Sequence, residues 1–277
     1  MTRRAAMRVP LLACLLLGIG QPAFGDDSLD LSIAVFDPGV PEAKSVHRDL
    51  KIFPRIRAVE ALLLPYRLRE VLAGTGEWGA VRDVTRVDAA ADLSITGEIL
   101  HSDGHALGVR ITAVDAGGQL WIDSAFVGPV GGPELFVKIA EELNAARLER
   151  SDEELSRINE ISLLRYGLRL APTAFRQYLQ VRDDGEVIVQ HLPARDEPMV
   201  DRIRRIRETE YVITDTVDAK FQELHGDIAS VYELWREYRR KTVEFERMDA
   251  EHAAATASAA PGGTYRDLLK QLSLIHI

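Results

Sequence analysis

Residues 93–127, LSITGEILHSDGHALGVRITAVDAGGQLWIDSAFV, carry the pattern that decides the fold of this chain. Apolar and polar residues alternate through residues 93–100 and again through residues 107–115, which is typical of strands with one buried face. A third strand pattern follows at residues 119–127. The turn sequences SDG and DAGG lie between these runs and supply the glycines that tight hairpins need. The stretch therefore predicts a meander of three antiparallel strands.

The segments before the meander add strands and a helix. Residues 31–36 (LSIAVF) form a short apolar run that ends at a turn sequence, DPG, so we predict a buried strand there. Apolar residues spaced by three and four positions predict a helix over residues 55–72, kinked at Pro65 and ended by Gly74. Residues 80–84 give one further strand signal.

A second covering helix is predicted after the meander. Its apolar stripe runs through residues 133–147, and Pro133 suits the first turn of a helix. We therefore expect an α+β protein. Its first domain, residues 29–148, would be a two-layer α/β sandwich, in which two helices cover a mostly antiparallel sheet.

The rest of the chain predicts a mainly helical domain with a small β-hairpin, over residues 151–250. Ser151 followed by Glu154 forms a capping box at the start of its first helix. The turn DDG predicts a hairpin between residues 180–182 and 186–192. We expect a helix at residues 198–208 and a break at residues 211–213. A long helix capped by Asp215 would follow, and then a flexible tail over residues 251–277.

The long helix has the most regular pattern in the sequence. Apolar residues recur at alternating intervals of four and three, as in a coiled coil, which predicts a partner helix. That partner is the helix beginning at Ser151, a second copy of the chain, or another envelope protein. The candidate partner contacts are Phe221, Leu224, Ile228, Trp235 and Tyr238.

The first 25 residues are typical of a secretory signal peptide. Three arginines precede the apolar core LLACLLLGIG, which is short for a membrane span, and small residues precede a cleavage point after Gly25. A lipid anchor at Cys14 is the less favoured alternative. We therefore expect a periplasmic protein with no transmembrane segment in its mature chain and, since Cys14 is the only cysteine, no disulfide. The last six residues, 272–277, match the translation of a sequencing-library adapter, so we expect the natural chain to end differently.

The charge of the chain limits its partners. Lys and Arg number 34 and Asp and Glu 43, which gives a formal net charge of −9, and the three arginines of the signal leave −12 on the remainder. Nucleic acids and anionic lipids bind to positive surfaces, so neither is expected as a partner. The basic run at residues 202–207 is interleaved with acidic residues and predicts a solvated helix face.

No motif in the sequence specifies a reaction. The GTGEWG sequence at residues 74–79 follows a helix and precedes a strand, the reverse of the order that dinucleotide binding requires. His101, Asp103 and His105 surround a hairpin turn and are weak candidates for a metal site that would need further ligands. No hydrolase, nucleotide-binding or zinc-peptidase motif is present. We therefore expect no catalytic residues, no cofactor and no metal.

Several segments resemble uncharacterised secreted proteins of proteobacteria. They are LSIAVF (31–36), WGAV (78–81), ITGEI (95–99), DAGGQLWID (115–123), LPA (192–194) and RRIRE (204–208). The first domain is also distantly similar to the N-terminal α/β domain of the Tol translocation protein. Envelope lipoproteins that assist curli secretion or activate peptidoglycan synthases share this similarity. The resemblance implies a protein that binds other proteins, and it transfers no catalytic residue.

The function that the sequence favours is non-enzymatic: protein–protein contact in cell-envelope assembly or maintenance. This hypothesis expects an exposed apolar patch on the long helix, or on the open sheet face around Arg110, Thr112 and Trp121. One alternative is a module that binds a small ligand or a peptidoglycan fragment in a cleft between the domains. The other is an enzyme of unrecognised type, with titratable groups gathered near His101 and His105.

Overall fold

The structure is a computed structural model that describes residues 28–49, 52–88, 90–103, 106–129, 132–182, 187–194 and 196–259. The expected signal peptide with Cys14, the DDG turn and the segment at 272–277 lie outside these described residues. His105 also lies outside them.

The described elements form an α+β fold, as predicted. The strands are β1 (Leu31–Ala34), β2 (Val81–Val84), β3 (Leu93–Ser102), β4 (Ala106–Asp115), β5 (Leu120–Pro129), β6 (Leu179–Val181) and β7 (Val187–Val189). The helices are α1 (Val46–Asp49), α2 (Pro54–Thr75), α3 (Glu134–Leu148), α4 (Asp152–Leu170), α5 (Pro172–Phe175) and α6 (Pro198–Ala259). The last two strands pair as the small antiparallel hairpin that was expected.

The main sheet has five strands in the order β2-β1-β3-β4-β5. Strands β3, β4 and β5 form the predicted antiparallel meander, and their ladders are the longest in the sheet. Strand β1 is parallel to both of its neighbours, so the sheet is mixed. Parallel neighbours need a crossover connection, and α2 makes that connection between β1 and β2.

The C-cap of helix α2 lies two residues later than predicted. Gly74 is still helical, whereas Gly76 takes a left-handed conformation, with φ of 69°, and forms the C-cap. A residue with positive φ ends a helix with little strain only when it is glycine, which explains why the second glycine of GTG is the cap. Pro65 lies inside α2, which continues past it to Thr75.

Two hydrophobic clusters lie on either side of α4. The larger cluster lies between the main sheet and helices α2 and α3, and Leu155, Ile158 and Ile161 of α4 belong to it. The smaller cluster joins the second half of α4 to α5, β6 and the first turns of α6 through Phe175 and Ile203. The predicted capping box is confirmed, with Ser151 accepting a hydrogen bond from the backbone of Glu154.

Helix α6 is a single element of 62 residues. The predicted break at residues 211–213 is wrong. Tyr211 packs under the guanidinium of Arg82, which lies 3.8 Å from the ring centroid, and its hydroxyl accepts a hydrogen bond of 2.5 Å from Arg207, one turn earlier. These tertiary contacts outweigh the low helix propensity of the β-branched residues that follow. The helix also continues through residues 251–259, where a flexible tail was expected.

Within the described ranges, no helix is both long enough and apolar enough to cross a membrane.

Candidate functional site

Helix α6 is anchored to α2 and β3 by a buried cluster of charged and polar side chains. Glu60 is fully buried and accepts hydrogen bonds from Ser102 (2.6 Å), Tyr232 (2.7 Å) and Arg236 (3.2 Å). Arg57 lies 3.9 Å from the same carboxylate, and burial lowers the pKa of its guanidinium. Buried charges require partners of this kind, so the cluster determines where α6 lies and which of its faces is exposed.

A second buried cluster joins α6 to α4 and the sheet. The hydroxyl of Ser162 donates to the carboxylate of Asp92, and Arg207 donates to that hydroxyl over 3.0 Å. Arg207 also lies 3.6 Å from the Asp92 carboxylate. Burial raises the pKa of Asp92, and the charge of Arg207 opposes this shift. The prediction that the basic run 202–207 is wholly solvated is therefore wrong for Arg207, which is buried.

The five predicted partner contacts fall on more than one face of α6. Ile228 and Trp235 are partly buried, and the Trp235 ring packs edge-on against Phe53 of the same chain at 5.9 Å. Leu224 and Tyr238 are exposed. The side chain of Phe221 is not among those described. The residues of the heptad pattern therefore lie partly on the side of α6 that faces the body of the protein and partly on the side that faces solvent.

The solvent-facing part carries a row of exposed apolar side chains, hereafter the apolar stripe, which Lys241 interrupts between Tyr238 and Phe245. It consists of large side chains at intervals of three, four, seven and three residues that are 58–70% exposed: Val231, Leu234, Tyr238, Phe245 and Met248. Sequence reasoning missed Leu234 and Met248 because it followed the seam through Trp235 instead. The spacing of three from Val231 to Leu234 and from Phe245 to Met248 is the signal that could have found them.

The open face of the sheet is polar, in contrast to the apolar stripe. Arg110 pairs with Asp123 over 2.9 Å, and Thr112 donates to the same carboxylate over 3.3 Å. Trp121 was expected on this face but is buried, because the register shifts between Ala113 and Val114 and its indole donates to Asp115 over 2.9 Å. An irregularity of this kind redirects a side chain to the other face of the sheet.

A cavity of about 260 Å³ lies between α2, the ends of β1 and β2, and α6. Three polar side chains meet in its wall: Arg69 lies 3.4 Å from Asp83 and 3.9 Å from Asp218. Beside them, Tyr66 stacks on His225 with ring centroids 4.4 Å apart. The remaining walls combine the polar residues Thr85, Thr214 and Gln222 with a larger apolar set: Ile33, Val35, Leu62, Pro65, Val84, Val217, Leu224 and Ile228.

The carboxyl group of Asp83 is the most strongly perturbed group of this cavity. Burial raises its pKa to about 6, while Arg69 opposes the shift and the neighbouring charges of Asp218 and Glu70 add to it. Its Oδ1 atom is buried without a hydrogen-bond partner among the described residues. The pKa of Asp218 is also raised, chiefly by burial. Asp83 and Asp218 share the guanidinium of Arg69, but the charge of Arg82 also acts on Asp218, so Asp83 is the carboxylate that is short of positive charge.

A larger and more open groove of about 570 Å³ lies beside the β4–β5 turn. Three of its five charged side chains hold the local structure. Asp115 accepts hydrogen bonds from Trp121 and from turn amides, Arg150 covers the Trp121 ring at 3.8 Å, and Glu154 completes the capping box. These roles account for Asp115, Arg150 and Glu154 without a ligand.

The weak metal candidates are only partly described. His101 and Asp103 lie at the end of the β3–β4 hairpin, 3.0 Å apart, and both are at least partly exposed. His105 lies outside the described residues. Across the part of the chain that is described, no group of three or more His, Cys, Asp or Glu side chains is arranged to hold a metal ion.

Comparison with known proteins leaves the family of this chain open. No family model and no curated protein matches the sequence. A dodecameric variant of PelC from Paraburkholderia phytofirmans is similar to 42% of this chain and 89% of its own, with 12% sequence identity and a TM-score of 0.27. A likeness of that size carries no inference about fold or function.

Proposed function

We propose that this protein is a non-enzymatic periplasmic adaptor that acts through protein–protein contact in cell-envelope assembly or maintenance, and that the apolar stripe of α6 is its contact surface. The observation that carries this proposal is the exposure of five large apolar side chains along one helix face. Leaving such side chains in water costs roughly 1.5–3 kcal/mol each relative to burial. A row of exposed large apolar side chains of this kind is typical of an interaction site.

The buried charged clusters support this proposal over an enzymatic one. Glu60 and Asp92 each join several elements, and each has at least one partner on α6. Both clusters therefore have a structural reason to exist, which is to fix α6 against the body. The first 25 residues of the sequence support the periplasmic location.

Crosslinking in cells tests the contact surface. Tagged protein would be expressed in its native host together with an untagged copy, crosslinked and captured, and its partners identified by mass spectrometry. We expect Leu234→Glu/Phe245→Glu to lose at least one partner that the wild type captures. Val212→Glu is the matched control, because Val212 is equally exposed on α6 but lies off the apolar stripe. Capture of the same partners by all three proteins would refute the proposal.

The cavity between α2, β2 and α6 favours a second candidate function, which is binding of a small ligand. Most of its walls are apolar, and the buried Oδ1 of Asp83, which has no hydrogen-bond partner among the described residues, favours a ligand with a basic nitrogen. A short alkylamine has the chemistry to bury its chain against the apolar walls and to place its ammonium group beside Asp83.

Titration calorimetry with n-hexylamine, n-hexanol and hexanoate tests this candidate. We expect n-hexylamine to bind most tightly, and Asp83→Asn to reduce its affinity to that of n-hexanol. Asp123→Asn, on the open sheet face, is the control and should leave binding unchanged. Preference for hexanoate, or no binding of any of the three compounds, would count against an amine site.

A further inference from the structure

We propose that the apolar stripe of α6 binds the same stripe of a second copy of this chain, with the two helices antiparallel and the two-fold axis between Arg239 and Arg240. This proposal rests on the proposed function, because it names the partner of that surface. A symmetric pair needs a surface that is complementary to itself under a two-fold rotation. The spacing and the charges of the stripe meet that requirement.

The apolar residues pair with one another in this register. Val231 lies opposite the partner's Met248, and Leu234 lies opposite the partner's Phe245; the symmetry repeats both pairs. The positions alternate as a and d positions do in an antiparallel coiled coil. Residues 231–248 span about 26 Å of helix at 1.5 Å per residue, so the contact is continuous over nearly five turns.

The polar residues of the same face are also matched. Tyr238 lies opposite the partner's Lys241, where an ammonium group can lie over an aromatic ring. Asp227 lies opposite the partner's His252, which pairs an acid with a base. All four side chains are exposed in the single chain. Lys241 also contacts Glu237 at 2.7 Å, so its charge is compensated within its own helix.

Other arrangements are less favourable on the same grounds. A parallel pair would place Lys241 against Lys241 and Asp227 against Asp227, and like charges across an interface are costly. Sliding the antiparallel pair by one heptad would place Asp227 against Phe245 in one direction and Leu234 against His252 in the other. Either shift leaves a polar group facing an apolar one.

The body of the protein leaves room for this arrangement. Phe53 contacts α6 at Trp235 and Arg239, and every described side chain from residue 244 to residue 255 is exposed. Each body therefore covers its own α6 on one side of the proposed axis. Residues 244–255 of the partner would lie beside residues 224–235. They would contact a face of α6 that is next to the face covered by the body.

Disulfide trapping tests the register, in a Cys14→Ser background that removes the only native cysteine. Val231→Cys/Met248→Cys should form a covalent dimer under mild oxidation. The two positions are about 26 Å apart within one helix, too far for an internal disulfide. Neither single variant should crosslink, because its cysteines would also be about 26 Å apart across the axis. Leu224→Cys/Met248→Cys reports the register shifted by one heptad and should crosslink poorly.

Light scattering after size exclusion provides the second measurement. The wild type should elute as a dimer, and Leu234→Glu should raise the dissociation constant by roughly a hundredfold, since each 1.4 kcal/mol is tenfold. Val212→Glu should remain dimeric.

Crosslinking of the single cysteine variants would overturn the antiparallel register. A monomeric wild type without crosslinks would overturn the second copy as partner. If the crosslinking experiment in cells then captured a different protein through the stripe, the proposed function would still hold. If it captured no protein, the proposed function would fail as well.

Discussion

The hydroxyl of Tyr232 donates a hydrogen bond of 2.7 Å to the carboxylate of Glu60, although 172 positions separate the two residues. Glu60 is fully buried on α2, and Tyr232 lies on the face of α6 that packs against it. This contact holds α6 in one rotational orientation about its axis. The exposure of the apolar stripe follows from that orientation.

Removing the Glu60 carboxylate should loosen α6 and destabilise the protein. In Glu60→Ala the buried guanidinium of Arg236 loses its carboxylate partner, and stranding a buried charge costs about 3–5 kcal/mol. Tyr232→Phe removes two hydrogen bonds, the one donated to Glu60 and the one accepted from Arg236, and should cost about 1–3 kcal/mol. Urea unfolding measures both values, and limited proteolysis reports the release of α6. Equal stabilities for wild type and Glu60→Ala would show that the cluster does not anchor the helix.

Arg207 should contribute more to stability than its exposed neighbour Arg204. In Arg207→Met the buried carboxylate of Asp92 loses its cation, which should lower the free energy of unfolding by about 3 kcal/mol at pH 7. Arg204 pairs with Asp201 at the surface, so Arg204→Met should cost less than about 0.5 kcal/mol. The loss in Arg207→Met should shrink in acid, because protonated Asp92 needs no cation. A loss that does not vary with pH would mean that Arg207 acts through packing alone.

Asp83 should make the protein less stable as the pH rises from about 4 to about 6. Its pKa is raised from 3.8 to about 6 in the folded state, so the folded protein binds its proton more tightly than the unfolded chain does. The stabilisation is fully present below pH 4 and is lost as the pH rises through 6, a change of roughly 2–3 kcal/mol. Asp83→Asn should therefore be more stable than wild type at pH 7 and similar to it at pH 4. Denaturant titrations at the two pH values measure the free energy of unfolding of both proteins. If the wild type became more stable relative to Asp83→Asn as the pH rises, the prediction would be wrong.

Adding a methyl group should have opposite effects on the stability of the protein at two of its glycines. At Gly97 in β3 an added Cβ would lie 2.6 Å from the ring of Phe36, so Gly97→Ala should cost about 1–3 kcal/mol through overpacking. At Gly74, inside α2, an added Cβ meets nothing within 4 Å. Gly74→Ala should therefore stabilise the protein by about 0.4–1 kcal/mol. Thermal unfolding of the two variants provides the comparison, and a destabilised Gly74→Ala would contradict the assignment of that residue to the helix interior.

Features with local causes were predictable from the sequence. The meander of β3, β4 and β5 follows from alternation of apolar and polar residues, and the capping box at Ser151 and Glu154 needs residues only three positions apart. The hairpin of β6 and β7 was predicted for the same reason. The α2 cap was misplaced from Gly76 to Gly74 because both glycines permit a helix to end, and local sequence does not choose between them.

The candidate site was less predictable because it depends on contacts between distant parts of the chain. A heptad pattern indicates that part of α6 is buried, but which part depends on where the helix is anchored. Arg207 appeared to belong to a solvated run, yet its partner Asp92 lies more than a hundred positions earlier. Tyr211 appeared to mark a break, but the guanidinium of Arg82 holds it within the helix.

The sequence by itself determined the strands of the meander, the presence of most helices and the capping box of α4, because these depend on hydrophobic periodicity and on residues that act over a few positions. Only the tertiary structure decided the rotation of α6 and the convergence of Arg69, Asp83 and Asp218. Both depend on pairing buried charges between elements far apart in the chain, and such pairing leaves no periodic signal in the sequence.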